Sequence, residues 1–215
     1  MNLCKVLNEY NTQGISASRN YGVVVGIVTS NKDEEGLGRV KVKFPWLSAQ
    51  DESKWARIAT PMTGDKKGIY FLPEVNDEVL VIFGQGDLRC PYVIGALWNG
   101  QDKPPTDNKD GKNNLRMIKS RSGHQILLND EEGKETIEIR DKTAKNRIVF
   151  DTASNSITIS ADADITLSAS QGTIKLDAQK IEINSTEDTT VDSGSEMNIQ
   201  ATKNMNLQGQ TINLN

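Results

Sequence analysis

Two aspartates separated by one residue, Asp162 and Asp164, form the acidic pair whose spacing best suits catalysis. Glycoside hydrolysis uses two carboxyl groups in a pocket whose environment separates their pKa values. Here the pair lies in the stretch SITISADADITLSAS (156–170), where small polar residues separate alternating apolar ones. This pattern predicts a convex, solvated turn between short strands. We therefore interpret both aspartates as exposed turn charges and predict that the chain is not an enzyme.

Few other residues have catalytic or ligating chemistry. His124 is the only histidine and follows Gly123 in a predicted turn, so it has no His-x-His partner for a metal ion. The sequence contains no Ser-His-Asp or Cys-His spacing, no P-loop and no glycine-rich dinucleotide motif. We predict no metal site, no cofactor and no catalytic residue.

The cysteines and the N-terminal sequence bear on the compartment. Cys4 and Cys90 are the only cysteines, too few for a disulfide framework, and we predict free thiols in a reducing cytoplasm. The first ten residues, MNLCKVLNEY, lack the apolar segment of a signal peptide, and the sequence has no apolar run long enough to span a membrane. Synthesis in the cytoplasm without a signal peptide is the resulting prediction.

Basic and aromatic residues are interleaved in one part of the chain, as in many nucleic-acid-binding surfaces. They are Lys32, Arg39, Lys41, Lys43, Lys54 and Arg57, with Trp46 and Trp55. However, Lys41 and Lys43 alternate with valines, which is the pattern of a half-buried strand, and the net charge of the chain is -4. We predict protein docking or simple barrel packing here, and no nucleic-acid binding.

Strand signals dominate residues 21–98. Runs of β-branched and alternating residues are separated by turns rich in Gly, Pro, Asn and Asp, which favours a small closed β-barrel or a sandwich. The runs are YGVVVGIVT, RVKVKF, KWARIAT, GIYFL, EVLVIFG and YVIGALW.

The rest of the chain divides by composition. Residues 1–20 are polar and weakly patterned, and we predict an N-terminal arm. Residues 99–114 contain two prolines and no large apolar side chain, which is typical of a solvated linker. Residues 115–150 contain three strand-like units, HQILL, TIEI and RIVF, and we predict a neck of strands.

A repeat of about eight residues occupies 151–215. Each unit carries two residues at positions x and x+2, followed by small or acidic residues, and this segment holds nine acidic residues against three lysines. The pairs are Ile157/Ile159, Ile165/Leu167, Ile174/Leu176, Ile181/Ile183, Thr189/Val191, Met197/Ile199, Met205/Leu207 and Ile212/Leu214.

One such octad is not stable alone. Its apolar pair lies on one side of a short strand, and burying two side chains contributes about 3–6 kcal/mol. Ordering eight backbones costs on the order of 10 kcal/mol, and both strand edges stay unpaired. Stacking on neighbours solves both problems, so we predict three chains wound into an intertwined triple-stranded β-helix with the apolar residues from Ile157 to Leu207 on its axis. A single-chain solenoid with three octads per coil remains the alternative.

Several stretches together resemble the central spike proteins of contractile injection systems, namely phage baseplate assembly protein V and the valine-glycine repeat (VgrG) proteins of type VI secretion. The resemblance covers the chain from about residue 20 to 215 and includes an RSGHQ stretch at 121–125. The other stretches are GRVKV (38–42), WARIA (55–59), FLPEVNDEV (71–79), Gly86-Asp87 and GALWN (95–99).

This resemblance implies an all-β homotrimer, with OB-fold domains at 21–98 at the base of the β-helical needle. It also implies a separate trimeric hub at the OB-fold end and a small PAAR-type tip protein on the needle. We expect the tip protein to contact Ile212, Asn213, Leu214 and Asn215. In the family, the protein is made in the bacterial cytoplasm and assembles into a phage tail or injection-system baseplate. Contraction of the sheath then drives the spike into a target envelope.

The sequence differs from longer family members. Only the 99–114 linker lies between the barrel and the repeat, where some members carry a lysozyme-like domain, and twenty residues precede Tyr21 where others have a hub domain. We expect a minimal, structural spike. The alternatives are a trimeric receptor-binding fibre or adhesin and, less favoured, an OB-fold oligonucleotide-binding protein.

Overall fold

The computed structural model describes residues 19–47 and 51–213, and its strands fall in two parts of the sequence. The chain divides into two units, one ending at Ser160 and one beginning at Ala161. Within the described residues the regular structure is β-strand and one short 3-10 turn at Gly84–Gly86. No described helix has the length and apolar content that crossing a membrane requires. Most of the predicted N-terminal arm lies outside the described residues.

Seven strands of the described residues lie in the region predicted to form a barrel. They are β1 (Val24–Ser30), β2 (Lys41–Lys43), β3 (Arg57–Ile58), β4 (Thr63–Gly64), β5 (Lys67–Gly68), β6 (Glu78–Phe83) and β7 (Pro91–Leu97). Five of them form one sheet in the order β2-β1-β6-β7-β3, and its β3–β7 pair is parallel while the other pairs are antiparallel. Strands β4 and β5 form a separate small hairpin.

Two reciprocal hydrogen bonds close this sheet into a barrel. The N–H of Ala56 donates to the C=O of Val40 at 2.7 Å, and the N–H of Val40 donates to the C=O of Ala56 at 3.0 Å. They join the ends of the sheet, since Val40 precedes β2 and Ala56 precedes β3. A closed five-stranded barrel with this order is of the OB type, and the predicted barrel is confirmed.

Alternation along the strands fills the barrel. In β6 the side chains of Val79, Val81 and Phe83 are buried while their neighbours are partly or fully exposed. Val42 of β2 is fully buried, and an added Cβ on Gly26 of β1 would lie 2.3 Å from its Cγ1 atom. Glycine at position 26 therefore lets β1 approach β2 closely.

One predicted strand does not form. The GIYFL run begins with Gly68 at the end of β5 and continues from Ile69 as irregular chain, and Tyr70 and Phe71 are exposed. The physical reason is that the Val40–Ala56 pairing has already closed the described barrel, so its sheet offers no free edge to another strand.

Asparagine side chains organise the predicted linker. The Oδ1 atom of Asn99 accepts the backbone N–H groups of Gln101 and Asp102, each at 2.8 Å. The Oδ1 atom of Asn108 accepts the N–H of Asn113 at 2.7 Å. The segment between barrel and neck is thus built from side-chain-capped turns.

Five strands form an antiparallel meander after these turns. They are β8 (Leu115–Lys119), β9 (Gln125–Asn129), β10 (Thr136–Arg140), β11 (Arg147–Asp151) and β12 (Ser156–Ser160), and they lie in sequence order across the sheet. The sequence predicted β9, β10 and β11 but missed β8. The first octad forms β12, and in this strand Ile157 lies opposite Phe150 and Ile159 lies opposite Ile148.

The second unit has a different character. The described residues 161–213 contain no assigned strand, and the N–H of Gly172 donates to the C=O of Ala169 within a local turn. Apolar octad residues from Ile165 to Ile212 are all exposed, from 45% for Met197 to 77% for Ile183. The described octads of this unit therefore have the alternating sequence of strands but pair with no other strand of their own chain.

Candidate assembly surfaces

One face of the meander sheet is apolar and open to solvent. Strand alternation and register bring nine large apolar side chains to this face in two rows that run across the strands, and Arg116 lies beside Leu128 at the end of the second row. One row is Ile118, Ile126, Ile139, Ile148 and Ile159, and the other is Leu128, Ile137, Phe150 and Ile157. Their exposed fractions run from 36% for Ile148 to 65% for Ile157.

This face contradicts the usual arrangement of a half-solvated sheet. An antiparallel sheet with one face in water normally carries polar side chains there. Burying the exposed half of each of these side chains contributes about 1 kcal/mol, so all of them together favour association strongly. Contiguous apolar surface of this kind marks a protein–protein contact.

The opposite face of the same sheet is mixed, because Met117, Leu127 and Val149 lie on it with Glu138 between the last two. The guanidinium of Arg140 donates to Oε1 of Gln125 on the neighbouring strand at 2.8 Å and to Oε2 of Glu138 at 3.3 Å. The two faces therefore differ in degree: these charged and amide side chains lie on this one, and the nine large apolar side chains lie on the other.

The side chains predicted to pack along a needle axis do not form a core within the single chain. Ile157 and Ile159 end the two apolar rows of the meander and are exposed there. The other predicted axis residues lie in the second unit, and all are exposed as well: Ile165, Leu167, Ile174, Leu176, Ile181, Ile183, Val191, Met197, Ile199, Met205 and Leu207.

The physical reason for their exposure in the single chain is the lack of strand partners. Two apolar side chains on one extended segment have nothing of their own chain to pack against when the described segment pairs with no other strand. Leu167, Val191 and Ile199, for example, are 67%, 74% and 69% exposed. Their burial requires contacts from outside the single chain, and the shared axis stays a prediction.

The predicted axis set also omitted the neck residues on the same apolar face. Their signal was present, because HQILL, TIEI and RIVF each carry apolar residues at alternate positions. The face of the meander thus extends the predicted interface toward the barrel side of the sequence.

The predicted tip contact is described only in part. Ile212 is 49% exposed and Asn213 is exposed. Leu214 and Asn215 lie outside the described residues.

A second apolar surface lies on the barrel. The β1–β2 loop, the β4–β5 hairpin and the irregular GIYFL segment surround a groove of about 560 Å³. Leu37, Met62, Tyr70 and Phe71 line it and are all more than half exposed. The groove is open and shallow, which suits a protein surface better than a small ligand.

Two of the basic residues that suggested an oligonucleotide face are engaged within the barrel. Arg39 pairs with Asp33 at 2.7 Å, and Lys41 pairs with Glu52 at 3.1 Å. Both cations also lie over the ring of Trp55, 5.7 and 5.3 Å from its centroid. This arrangement neutralises two of the charges that a phosphate backbone would require.

The candidate chemical groups are placed as follows. Asp162 and Asp164 are exposed, and His124 lies after the β8–β9 turn with its Nδ1 accepting the N–H of Lys142 at 3.2 Å. Within the part of the chain that the structure describes, no group of three or more His, Cys, Asp or Glu residues is placed to hold a metal ion. The free-thiol prediction is wrong for Cys90, which is buried and disulfide-bonded, while Cys4 lies outside the described residues.

Comparison with known proteins relates the barrel to a family. Residues 24–98 match the type VI secretion system/phage-baseplate injector OB domain. The type VI secretion system spike protein VgrG1a of Pseudomonas aeruginosa is 28% identical over 152 residues, which are 63% of this chain and 24% of that protein. The spike protein VgrG3 of Vibrio cholerae is 29% identical over 130 residues, 50% of this chain and 13% of that protein.

A toxin is also among the similar proteins. The actin cross-linking toxin VgrG1 of Vibrio cholerae is 27% identical over 130 residues, which are 54% of this chain and 12% of the toxin. The chain thus spans a quarter or less of the length of each of these three curated relatives.

Proposed function

We propose that this chain is a non-enzymatic, homotrimeric spike at the centre of a contractile injection baseplate, because it is similar to the VgrG spike proteins of type VI secretion systems. Its barrel matches the injector OB-domain family over residues 24–98. The relatives are named as spike proteins, which supports a structural role for the part of the chain that they share.

One observation carries the trimer. The apolar face of the meander and the apolar pairs of the octads are exposed in the single chain, and the described octads after β12 have no strand partners within it. Association of copies removes both deficits at once, because identical neighbours supply apolar contacts and backbone hydrogen bonds together.

Three copies around one axis fit the eight-residue period. Each octad supplies one short strand and one corner, so three chains close a triangular prism in which every edge is paired with another copy. Stacked strands lie about 4.8 Å apart, and eight octads then form a needle on the order of 40 Å long. Interwoven chains do not separate one at a time, which suits a part that transmits axial force.

The proposed partners are those that the resemblance to spike proteins implies, and the chain has an exposed surface for each of them. A separate trimeric hub docks on the barrel domain, for which the groove around Tyr70 and Phe71 offers an apolar surface. A PAAR-type tip protein covers the end of the octad repeat near Ile212. On contraction the spike crosses the target envelope, so its contact with that envelope is transient.

Native mass spectrometry of the purified chain tests the proposal. We expect a species of three times the 23.7 kDa chain mass that resists dissociation in cold SDS. A folded monomer under the same conditions contradicts the trimeric spike. Co-purification with fibre proteins, in place of hub and tube proteins, would instead support a receptor-binding fibre.

A further inference from the structure

Two oppositely charged residues occupy the same position in successive octads. Lys175 lies between Ile174 and Leu176, and Glu182 lies between Ile181 and Ile183. In an extended strand the residue between two inward side chains points outward. The side chains of Lys175 and Glu182 are 78% and 63% exposed.

The position before each apolar pair also points outward and repeats this relationship. Lys180 precedes Ile181, and Asp188 precedes Thr189 in the next octad. Lysine again comes one octad before an acidic residue.

The ion pairs within one chain do not use this relationship. Lys175 contacts Asp177 at 3.1 Å, and Lys180 contacts Glu182. Each pair joins residues two apart along the same extended segment, so neither connects one octad to the next. Such exposed pairs contribute little to stability.

We propose that Lys175 of one copy pairs with Glu182 of a neighbouring copy, and Lys180 with Asp188 in the same way, so that charge sets the register between chains. The proposal rests on the trimeric spike proposed above. In a threefold needle each octad lies one face and one strand spacing beyond the octad before it. On any face, an octad of one copy is therefore followed, about 4.8 Å along the axis, by the next octad of another copy. Residues at equal positions in successive octads become cross-strand neighbours between copies.

The alternative winding places the same charges differently. In a single-chain coil of three octads, each octad stacks on the third one after it. Lys175 then neighbours Asn198, Glu182 neighbours Asn206, and Asp164 neighbours Asp188. That winding makes no opposite-charge pair from these residues and one pair of like sign.

The intertwined order also has one unfavourable pair. It places Asp188 of one copy beside Glu196 of the next, both acidic. Lys180 of a third copy lies on the other side of Asp188 in this order and offsets the repulsion. Between the two windings, charge complementarity favours the one that joins different copies.

Cysteine cross-linking of the full chain tests this register. Aligned residues on adjacent strands have Cα atoms close enough for a disulfide. We expect the oxidised K175C/E182C variant to give covalent dimers and trimers on non-reducing SDS gels, which reductant returns to monomers. The matched K175C/N198C variant, which pairs the same lysine position with its neighbour in the single-chain coil, should give neither species, and each single variant serves as the background control.

Failure of the register and failure of the spike function are distinguishable. A K175C/E182C variant that is trimeric by native mass but yields no covalent species overturns the register and leaves the trimer standing. An internal disulfide in K175C/N198C, found by peptide mapping, overturns it in favour of the single-chain coil. A monomer by native mass overturns both proposals.

Discussion

Arg39 holds Asp33 through two hydrogen bonds, from Nε to Oδ2 at 2.8 Å and from Nη2 to Oδ1 at 2.7 Å. The carboxylate also accepts the N–H groups of Glu35 and Leu37, and only 3% of the Asp33 side chain is exposed. The pair therefore fixes the loop between β1 and β2, which carries one wall of the apolar groove on the barrel. Charge-assisted pairs of this geometry are among the stronger hydrogen bonds in proteins.

This pair predicts how the stability of the barrel depends on pH. The Arg39 guanidinium and the loop N–H groups hold the pKa of Asp33 well below its usual value. A lowered pKa in the folded state stabilises the fold above the unfolded pKa of about 3.9, and this stabilisation is lost as the pH falls through the folded pKa. We expect Asp33→Asn to lower the urea midpoint at pH 7 and to flatten its decrease below about pH 4.

Tryptophan fluorescence measures this effect on the barrel itself, because Trp46, Trp55 and Trp98 are the only tryptophans. The matched control is Asp65→Asn in the exposed turn of the β4–β5 hairpin, which should leave the midpoint at pH 7 unchanged. Equal midpoints for both variants across the pH range would show that the Asp33–Arg39 pair does not stabilise the loop.

Because β1 approaches β2 closely at Gly26, we expect alanine to destabilise the barrel more at Gly26 than at Gly95. In Gly26→Ala the new methyl group would lie 2.3 Å from Val42, which is fully buried, and overpacking of this kind costs about 1–3 kcal/mol. In Gly95→Ala no atom beyond the adjacent residues lies within 4 Å of the new methyl group, and we expect the free energy of unfolding to change by no more than about 0.5 kcal/mol. Urea unfolding followed by tryptophan fluorescence compares the two. Similar losses in both variants would indicate that Gly26 does not mark a tight contact.

The apolar face of the meander predicts that an aspartate disrupts the trimer at one position of β12 and is tolerated at the next. Ile157 lies on the apolar face and Thr158 on the other, and both are exposed in the single chain. Ile157→Asp would place an unpaired carboxylate from each copy in the trimer interface, which costs several kcal/mol per charge. In Thr158→Asp the new carboxylate stays in water. We expect native mass spectrometry to show loss of the trimer for Ile157→Asp alone. Trimers of undiminished stability in both variants would exclude this face as the interface.

Local pattern predicted the parts of the fold whose partners are close in sequence. Alternation in EVLVIFG, TIEI and RIVF identified β6, β10 and β11, because one face of each strand carries the apolar residues. GIYFL has equally strong strand residues, but its structure depended on whether a sheet edge was free, and the Val40–Ala56 pairing is not visible in local pattern. Strand β8 was missed because LRMIK mixes basic and apolar residues without clear alternation.

The candidate surface was predicted in part for the same reason. The octad period identified Ile157 and Ile159 as members of an interface set, since it repeats at a fixed spacing. The sequence did not predict that Ile139 and Ile148 lie in the same row as Ile159. This row depends on the register of the hairpins, which is set by turn lengths and cross-strand pairing together. The Asp33–Arg39 pair was likewise not predicted, because it depends on the conformation of the loop between β1 and β2.

Charge reversal gives the octad register a thermodynamic test that needs no new thiol. Lys175→Glu would place two acidic side chains next to each other at three equivalent contacts of the trimer, and exposed pairs contribute about 0.2–1 kcal/mol each. We therefore expect Lys175→Glu to lower the temperature at which the trimer dissociates in SDS, and the K175E/E182K double variant to recover most of the loss because it restores opposite signs. The effect should shrink in high salt, which screens exposed charges. The control K175E/N198K places the compensating lysine three octads away, so we expect it not to recover the loss. If K175E/N198K recovered the loss and K175E/E182K did not, the octads would stack within one chain.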